Sequence, residues 1–294
     1  MRYLTAIFIF VSFSSPAQRG DYLGLTVTDE IVLVHDLTVA GPIPTVLDPN
    51  GVYPYVSFSE TSERPTPKRL RMIKLENRHL LVKICPDLGG KVVSIVHRGS
   101  GREVLYVPGV VKPVRILPRF YFVAGGIEVS FPISHSPSQN EKILFRTDKE
   151  AGRYYVSCGE RELRFGMQWT VEYSLGPEDQ FLTQRVVMHN PGSQSYPWMS
   201  WSNAAIPSAP DTHFDFPDGK VLRHASAVDT IDWKTDGPQN ESDIGEMTGY
   251  LRVEREVDGG DGSYVTFDVS TFDEVCAGGT CVSGVWEGRS GFSD

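Results

Sequence analysis

The sequence has no run of lysine or arginine residues, and its 37 acidic residues outnumber its 28 basic ones, which gives a formal net charge of −9. A nucleic-acid partner needs a basic patch that neutralises backbone phosphates, so this composition argues against such a partner. No segment has the roughly 20 consecutive apolar residues of a membrane-spanning helix. The G-x-S-x-G, Walker A and H-E-x-x-H motifs are also missing, which disfavours serine hydrolases, nucleotide-binding proteins and zinc proteases.

Cysteine is scarce as well, with four residues in the chain: Cys85, Cys158, Cys276 and Cys281. In an oxidising compartment four cysteines can pair in three ways, and nothing in their spacing selects one of these. Cys276 and Cys281 could also belong to a zinc site, but no second close pair of cysteine or histidine residues completes it. Disulfides or free thiols are therefore favoured, and no metal or other cofactor is predicted.

No window of a dozen residues shows the apolar stripe of an amphipathic helix. Glycine and proline are frequent, with 28 and 20 residues, and both interrupt helices while favouring turns. The 294 residues are 40% hydrophobic and 22% charged, which is typical of a globular protein with a packed core. The sequence therefore predicts one large all-β domain of many short strands.

The clearest strand pattern runs from Glu162 to Leu175, where polar and apolar residues alternate. This period of two predicts one long strand, bent at Gly166, with one buried face. A turn at Gly176 and the segment from Phe181 to His189 predict the returning strand of a hairpin. Strands in succession without helices favour an antiparallel sandwich or barrel. Further short strands are predicted at Leu80 to Ile84, Lys91 to Val96, Arg153 to Cys158, Tyr250 to Val257 and Tyr264 to Val269.

The N-terminus has a basic residue at Arg2, an apolar run from Leu4 to Phe13 and small residues up to Ala17. These are the three parts of a secretory signal peptide over residues 1–17, which predicts export to the periplasm or the medium. The alternative is a buried first strand. Residues 18–68 contain several turn signals and are expected to form an N-terminal extension and linker, with a connector from Glu63 to Lys68. Residues 69–294 form the main domain.

A first candidate site lies between Gly125 and Pro137, in the sequence GGIEVSFPISHSP. Gly125 and Gly126 let the backbone approach a ligand closely, and two prolines turn the chain toward His135. Glu128 and His135 are residues of the types that exchange protons at the anomeric centre of a sugar. On residue type alone, an exposed glutamate and a loop histidine also arise by chance.

A second candidate is the segment from Tyr196 to Asn203, which contains Trp198 and Trp201. Flat aromatic side chains cover the apolar faces of sugars, and an amide such as that of Asn203 binds hydroxyls. Because alternate residues of a strand point to opposite faces, at most one of the two tryptophans is expected to stack on a ligand.

Two acidic segments carry weaker signals. His213, Asp215 and Asp218 could bind a metal or supply a carboxylate for glycoside hydrolysis, but a metal needs a further ligand, so a polar loop is favoured. The stretch from Asp258 to Gly262 has the composition of a calcium loop without the spacing of an EF-hand, which favours a hairpin tip. Neither segment predicts a metal site.

Three motifs in order resemble those of the galactose-mutarotase-like superfamily. The sequence LENRHLLVKICPDLGGKVVSIVHRGSGREVLYVP, from Leu75 to Pro108, is similar to the opening of these domains, with an asparagine, a strand, a Pro-x-x-Gly-Gly turn and a second strand. The GGIEVSFPISHSP segment resembles the rim of their binding cleft, and WSNAAIP, from Trp201 to Pro207, takes the place of their central strand. The likeness is greatest to a bacterial family of unknown function that is often fused to tetratricopeptide repeats, and it covers about residues 28–250.

The resemblance implies a large antiparallel β-supersandwich that handles carbohydrate. In its aldose mutarotases, histidines stand at the positions matching Ala124 and Met199, and the general-base glutamate lies near the C-terminus. This chain has neither histidine and no aligned segment before Asp294, so an ordinary aldose 1-epimerase is not expected. Such sandwiches also continue beyond the position of Val269, so we expect the C-terminal part of the domain to be incomplete.

From the residues and the resemblance together, we predict an exported domain that acts on or binds a carbohydrate by epimerisation, elimination, hydrolysis or simple recognition. A non-catalytic sugar-binding or interaction module is the alternative, and a scaffold domain within a longer polypeptide is a third possibility. The predicted site consists of Glu128 and His135 as proton-transfer groups and of the substrate-binding residues Gly125, Gly126, Trp198, Trp201 and Asn203.

Overall fold

The computed structural model describes residues 23–39, 54–117, 120–132, 137–196, 200–207, 220–223, 229–232, 264–267 and 281–289. These residues form nineteen strands and a 3-10 helix at Pro86–Leu88, and they contain no α-helix. The strands are β1 (Leu23–Val34), β2 (Leu37–Val39), β3 (Phe58–Thr61), β4 (Thr66–Asn77), β5 (Leu80–Cys85), β6 (Lys91–His97), β7 (Arg102–Glu103), β8 (Pro113–Leu117), β9 (Phe120–Val123), β10 (Ile127–Ser130), β11 (Leu144–Glu150), β12 (Arg153–Arg161), β13 (Gln168–Leu175), β14 (Phe181–His189), β15 (Trp201–Ala204), β16 (Lys220–Arg223), β17 (Asp229–Asp232), β18 (Tyr264–Phe267) and β19 (Cys281–Arg289).

Two large sheets account for most of these strands. The seven-stranded sheet has the order β1-β4-β5-β6-β10-β15, with β7 added beside β6, and the six-stranded sheet has the order β11-β12-β13-β14-β19-β18. Neighbouring strands are antiparallel except for β14 and β19, which pair in parallel. Three two-stranded pairs, β2–β3, β8–β9 and β16–β17, complete the described part. The all-β prediction is confirmed.

The two large sheets pack face to face around the main apolar core. Ile73 and Val82 of the seven-stranded sheet and Val171 and Tyr173 of the other have no exposed surface, and all belong to one continuous cluster. The Tyr173 hydroxyl also donates a hydrogen bond of 3.0 Å across the core to the carbonyl of Gly90. Burial of this many aliphatic and aromatic side chains is the main force that holds the sandwich together.

A second apolar cluster lies on the opposite face of the seven-stranded sheet. It joins Met72 and Cys85 of this sheet to Tyr121 and Val123 of β9, so the β8–β9 pair packs on that face. The Phe58 ring meets the Tyr121 ring edge to face, with 5.3 Å between their centroids. Strand β10 is buried on both faces along its whole length, whereas β4 and β5 alternate between buried and half-buried residues.

The hairpin predicted at residues 162–189 is confirmed, but its first strand is shorter than expected. Strand β13 begins at Gln168 instead of Glu162, because the buried Glu162 carboxylate accepts hydrogen bonds from the backbone N–H groups of Arg164, Phe165 and Met167. These bonds fold residues 162–167 into the connection between β12 and β13. The alternating polar and apolar residues from 162 to 167 therefore lie in a loop, and Leu163 is exposed.

The predicted N-terminal extension contributes to the sandwich. Strand β1 pairs with β4 along twelve residues, from Leu23 opposite Asn77 to Val34 opposite Thr66, so residues 23–34 form an edge of the seven-stranded sheet. The predicted connector overlaps the start of β4. The predicted signal peptide at residues 1–17 and the strand expected at Tyr250 to Val257 lie outside the described residues. In the part of the chain that the structure covers, no helix is long and apolar enough to cross a membrane.

Two of the four cysteines are placed in the two cores. Cys85 and Cys158 are buried and free, and burial raises the pKa of each thiol to about 12. Both are therefore protonated packing residues at neutral pH. Cys281 begins β19, and Cys276 lies outside the described residues.

The side chain of Asn77 connects the hairpin turns of the two sheets. Its Oδ1 accepts hydrogen bonds of 2.8 Å from the N–H groups of His79 and Leu80 at the β4–β5 turn. Its Nδ2 donates to the carbonyls of Gly176 and Asp179 at the β13–β14 turn, at 2.7 and 2.8 Å. Every hydrogen-bonding group of this fully buried amide is therefore satisfied.

We expect Asn77→Ala to lower the free energy of unfolding by about 2–4 kcal/mol, because four backbone groups lose their partner in a buried place. Urea unfolding followed by tryptophan fluorescence measures this change. Asn190→Ala is the matched control, since the Asn190 amide also binds loop backbone but at an exposed place, and it should cost about 1 kcal/mol or less. Equal losses in the two variants would contradict the assigned role.

Candidate functional site

A row of polar side chains crosses the second face of the seven-stranded sheet. Cys85 lies opposite Lys91, and Glu128 lies opposite Asn203. Because Ile127 is paired with Val92 in antiparallel register, the next residues along, Lys91 and Glu128, are also neighbours. Direct cross-strand partners share a face of the sheet, so Lys91, Glu128 and Asn203 stand side by side on three adjacent strands.

Strand β10 separates this row from the main core. Its residues Ile127 and Val129 belong to the main core cluster, whereas Glu128 alternates with them and points to the second face. Glu128 is only 2% exposed and Lys91 only 4%. Burial of two charged groups is costly unless they are paired and hydrogen-bonded, so a buried lysine beside a buried glutamate is an unusual feature of this sheet.

The electrostatics of Lys91 follow from this position. Burial lowers the pKa of Lys91 to about 8, and the nearby negative charge of Glu128 opposes that shift. The Lys91 ammonium donates a hydrogen bond to the carbonyl of Val123 on β9. Near pH 8 the pair therefore holds an amine that can either carry or release a proton.

Two glycines bring β10 into its place beside β6. Gly125 and Gly126 have φ values of 85° and 70°, a left-handed conformation that favours glycine. A Cβ atom on Gly126 would lie 2.2 Å from the carbonyl oxygen of Val92, and one on Gly125 would lie 2.4 Å from Cδ of Pro108. Close approach to Val92 and Pro108 thus requires glycine at both positions, and the predicted contact of the two glycines with a ligand stays a prediction.

Gln139 completes the surroundings of Glu128. Its Nε2 donates a hydrogen bond to the Glu128 carboxylate, while its buried Oε1 has no partner among the described residues. On the other side of Glu128, the buried Nδ2 of Asn203 likewise has no partner in the part of the chain that the structure describes. One spare acceptor and one spare donor therefore flank a single carboxylate, an arrangement that native structures rarely leave unexplained.

The turn that carries Gln139 is fixed from several sides. The Tyr121 hydroxyl donates to the carbonyl of Pro137 at 3.0 Å and accepts from the N–H of Asn140 at 2.7 Å. The Ser138 hydroxyl donates to the carboxylate of Glu160 on β12, whose pKa is raised by burial. Neighbouring side chains of one turn thus reach carboxylates in two different sheets, and the position of the Gln139 amide is determined by the fold.

The structure brings some of the predicted site residues together and leaves others untested. Glu128 and Asn203 are cross-strand neighbours, and Gly125 and Gly126 immediately precede β10. Trp201 begins β15 opposite Ser130. The remaining predicted residues, His135 and Trp198, lie outside the described residues, as do Met199, His213, Asp215 and Asp218.

Sequence reasoning missed Lys91 and Gln139. Lys91 gives a faint signal, because it stands at the start of the apolar segment Val92–Val93 directly after the Gly89–Gly90 turn. No local pattern marks Gln139, whose contact with Glu128 depends on the path of a turn. Among the described residues, no group of three or more His, Cys, Asp and Glu side chains is arranged to hold a metal ion.

Comparison with known proteins gives three findings. The family model described as "Domain of unknown function (DUF5107)" matches residues 47–251. A TPR-domain containing protein from Parabacteroides distasonis is 66% identical, with a TM-score of 0.69 over 76% of this chain and 39% of that one. A galactose mutarotase-like protein from Clostridium acetobutylicum is 15% identical, with a TM-score of 0.46 over 68% of this chain and 78% of that one.

The P. distasonis protein is much longer than the region it shares with this chain, which spans 39% of its length. It carries a TPR domain, so the predicted likeness to a family found with tetratricopeptide repeats is confirmed. The match over residues 47–251 covers the strands that position Lys91, Glu128 and Asn203. The chain belongs to the DUF5107 family.

Proposed function

We propose that this chain is a carbohydrate-binding domain whose sugar site contains Glu128, Gln139 and Asn203. The observation that carries the proposal is a pair of buried atoms on either side of Glu128 that have no partner among the described residues, the acceptor Gln139 Oε1 and the donor Asn203 Nδ2. A hydroxyl group both donates and accepts a hydrogen bond, so hydroxyls satisfy both atoms at once. The resemblance to galactose-mutarotase-like domains, stated on independent motifs, supports the same class of ligand.

The charges around the row favour a neutral sugar. The Lys91 and Glu128 charges oppose each other, so the row provides no excess positive charge for a phosphate or a carboxylate. An anionic group would also face the Glu128 carboxylate and the Gln139 carbonyl oxygen, which both repel it. Hydroxyls of a neutral sugar can donate to these oxygens and accept from the amide of Asn203. We further infer that the protein acts outside the cytoplasm, on the strength of the signal peptide predicted at residues 1–17.

The first test concerns Asn203. Asn203→Leu keeps the size of the side chain but removes its donor, so the affinity for sugar should fall about tenfold or more, because an unpaired hydroxyl costs about 1–3 kcal/mol. Isothermal calorimetry with galactose, mannose, glucose and their oligosaccharides measures the change. Asn190→Leu, at an exposed loop, is the control and should bind as the wild type does. Unchanged affinity of the Asn203 variant would remove this residue from the site.

A second candidate function, acid–base catalysis at the bound sugar, is favoured by the Lys91–Glu128 pair. The two groups are adjacent and buried, and burial lowers the pKa of Lys91 toward the range in which catalytic groups exchange protons. In this candidate function Glu128 acts as the acid or base. The competing proposal is a domain that binds sugar without catalysis.

The Glu128→Gln variant separates the two candidates. If Glu128 transfers a proton, the variant should lose about a hundredfold or more of turnover while keeping affinity within a few-fold. Nuclear magnetic resonance of the sugar panel detects anomeric exchange, epimerisation or cleavage. Absence of turnover in the wild type on the whole panel favours the binding module, and turnover that survives in the variant excludes Glu128 as the acid or base.

The pH dependence of stability tests the environment of Lys91. Since the pKa of Lys91 falls from 10.5 to about 8 on folding, the unfolded chain binds this proton more tightly than the folded chain. The contribution of Lys91 to the free energy of unfolding is therefore constant below about pH 8 and rises between pH 8 and 10.5. We expect this rise to be absent from urea unfolding of Lys91→Met and retained in the control Lys112→Met, at an exposed position. An identical pH dependence in both variants would show that Lys91 is not desolvated.

A further inference from the structure

Strand β1 forms one edge of the seven-stranded sheet, and it is long and regular for an edge strand. It pairs with β4 at twelve consecutive positions without a register shift, whereas strands average about five or six residues. Among the described strands only β4 pairs with β1, and a single bridge between Val34 and Val111 adds a contact at its end. A long, straight edge of this kind favours pairing with a further strand.

The bridge at the end of β1 shows which backbone groups of this strand point away from β4. The N–H of Val111 donates to the carbonyl of Leu33, and the carbonyl of Val111 accepts from the N–H of His35, both at 2.9 Å. The residue of β4 opposite Leu33 is Pro67, which has no N–H to donate. Leu33 therefore directs its backbone groups to the outer side of β1.

The middle of the strand gives the same assignment. Arg71 lies opposite Asp29, and the N–H of Arg71 donates at 2.7 Å to the carboxylate of Asp87, which follows β5 on the other side of β4. Backbone hydrogen bonds therefore do not join Asp29 to Arg71. Since the backbone groups of an antiparallel strand alternate between its two sides, the odd-numbered residues of β1 point outward. The open stretch ends at Ile31, because the bridge occupies the carbonyl of Leu33.

The features that protect an edge strand from pairing are missing from β1. The strand contains no proline, lysine or arginine. Its two acidic residues, Asp29 and Glu30, form ion pairs of 2.7 to 3.0 Å with basic residues of β4 and β5, so their charges are neutralised within the sheet. Val27 is 42% exposed and Ile31 65%, and alternation places both on one face. Native proteins usually block such an apolar edge with charges, prolines or bulges.

The sequence of β1 is complementary to itself, which indicates a second copy of this chain as the partner. In an antiparallel pair with a two-fold axis at Thr28, Ile31 lies opposite the partner subunit's Leu25, and the same pair recurs on the other side of the axis. Both residues have outward backbone groups, so each such pair exchanges two hydrogen bonds. Thr28 faces its own copy, and paired threonines stabilise antiparallel strands.

The charges agree with this register. Asp29 lies opposite the partner subunit's Val27, and Glu30 lies opposite the partner subunit's Thr26. No acidic residue meets another directly, whereas an axis at Asp29 would place two carboxylates face to face, which is unfavourable. The stretch from residue 25 to residue 31 is also centred on Thr28, so all of its outward backbone groups find partners in the same register.

We propose that two copies of this chain pair through β1 in antiparallel orientation and form a symmetric dimer with one continuous sheet. Each copy contributes residues 25–31. The interface is isologous, because the same strand of each copy is used. Pairing therefore fills both β1 edges, and the assembly stops at two copies.

Size-exclusion chromatography with light scattering, on the purified chain from about 1 to 100 μM, tests the pairing. The wild type should show twice the mass of one chain. Val27→Pro removes an outward N–H from each copy, and proline is tolerated at an edge whose N–H faces solvent. This variant should raise the dissociation constant of the dimer about tenfold or more. Ile31→Lys should also weaken the dimer, because it places a charge on the pairing surface.

Thr28→Pro is the matched control for the direction of the backbone groups, since the N–H of Thr28 points toward β4. Its urea midpoint of unfolding should fall well below that of Val27→Pro, and equal midpoints would overturn the assignment. Leu163→Lys, at an exposed apolar residue of the β12–β13 connection, should dimerise as the wild type does. A wild type that is monomeric at every concentration overturns the proposal, as does a dimer that persists unchanged in Val27→Pro and Ile31→Lys.

Discussion

The rest of the sandwich depends on the burial of the apolar faces of its two sheets in one continuous core, and the relative position of the two sheets is set at one end by the four hydrogen bonds of the Asn77 amide. They join the β4–β5 turn of one sheet to the β13–β14 turn of the other, so the two hairpins cannot slide against each other without leaving buried polar groups unpaired. With the hairpins fixed, the apolar faces of both sheets meet in one continuous core. The second face of the seven-stranded sheet packs against the β8–β9 pair, and the polar row lies on that face.

The polar row is an exception to the packing of its own sheet. Both faces of the sheet are buried around Lys91 and Glu128, and apolar side chains would stabilise such a region more simply than a lysine and a glutamate. Positions that break a local rule without a gain in stability are those at which function is expected. The same reasoning applies to Gln139 and Asn203, each of which has a buried atom without a partner in the described part of the chain, because such atoms cost stability unless a water or a ligand satisfies them.

The sequence predicts those parts of the fold whose cause is local. Strands β5, β6 and β14 follow from apolar segments bounded by turn residues, and Glu128 is a plausible acid or base from its type alone. The strand expected to begin at Glu162 begins at Gln168, because the Glu162 carboxylate accepts hydrogen bonds from backbone N–H groups. The alternation of polar and apolar residues does not reveal this preference. Lys91 and Gln139 were missed because their contacts with Glu128 depend on strand register and on a turn, which bring together residues distant in the chain.

The two glycines show how a fold constraint and a site can share one cause. Gly126 must be glycine because its backbone lies against the carbonyl of Val92, and this close approach sets β10 beside β6 with Glu128 next to Lys91. From this backbone position the N–H of Gly126 donates a hydrogen bond to the carbonyl of Tyr106, and the carbonyl of Gly126 accepts one from the N–H of Ala205. A single close packing contact therefore positions both the polar row and the backbone of the loop from Leu105 to Pro108.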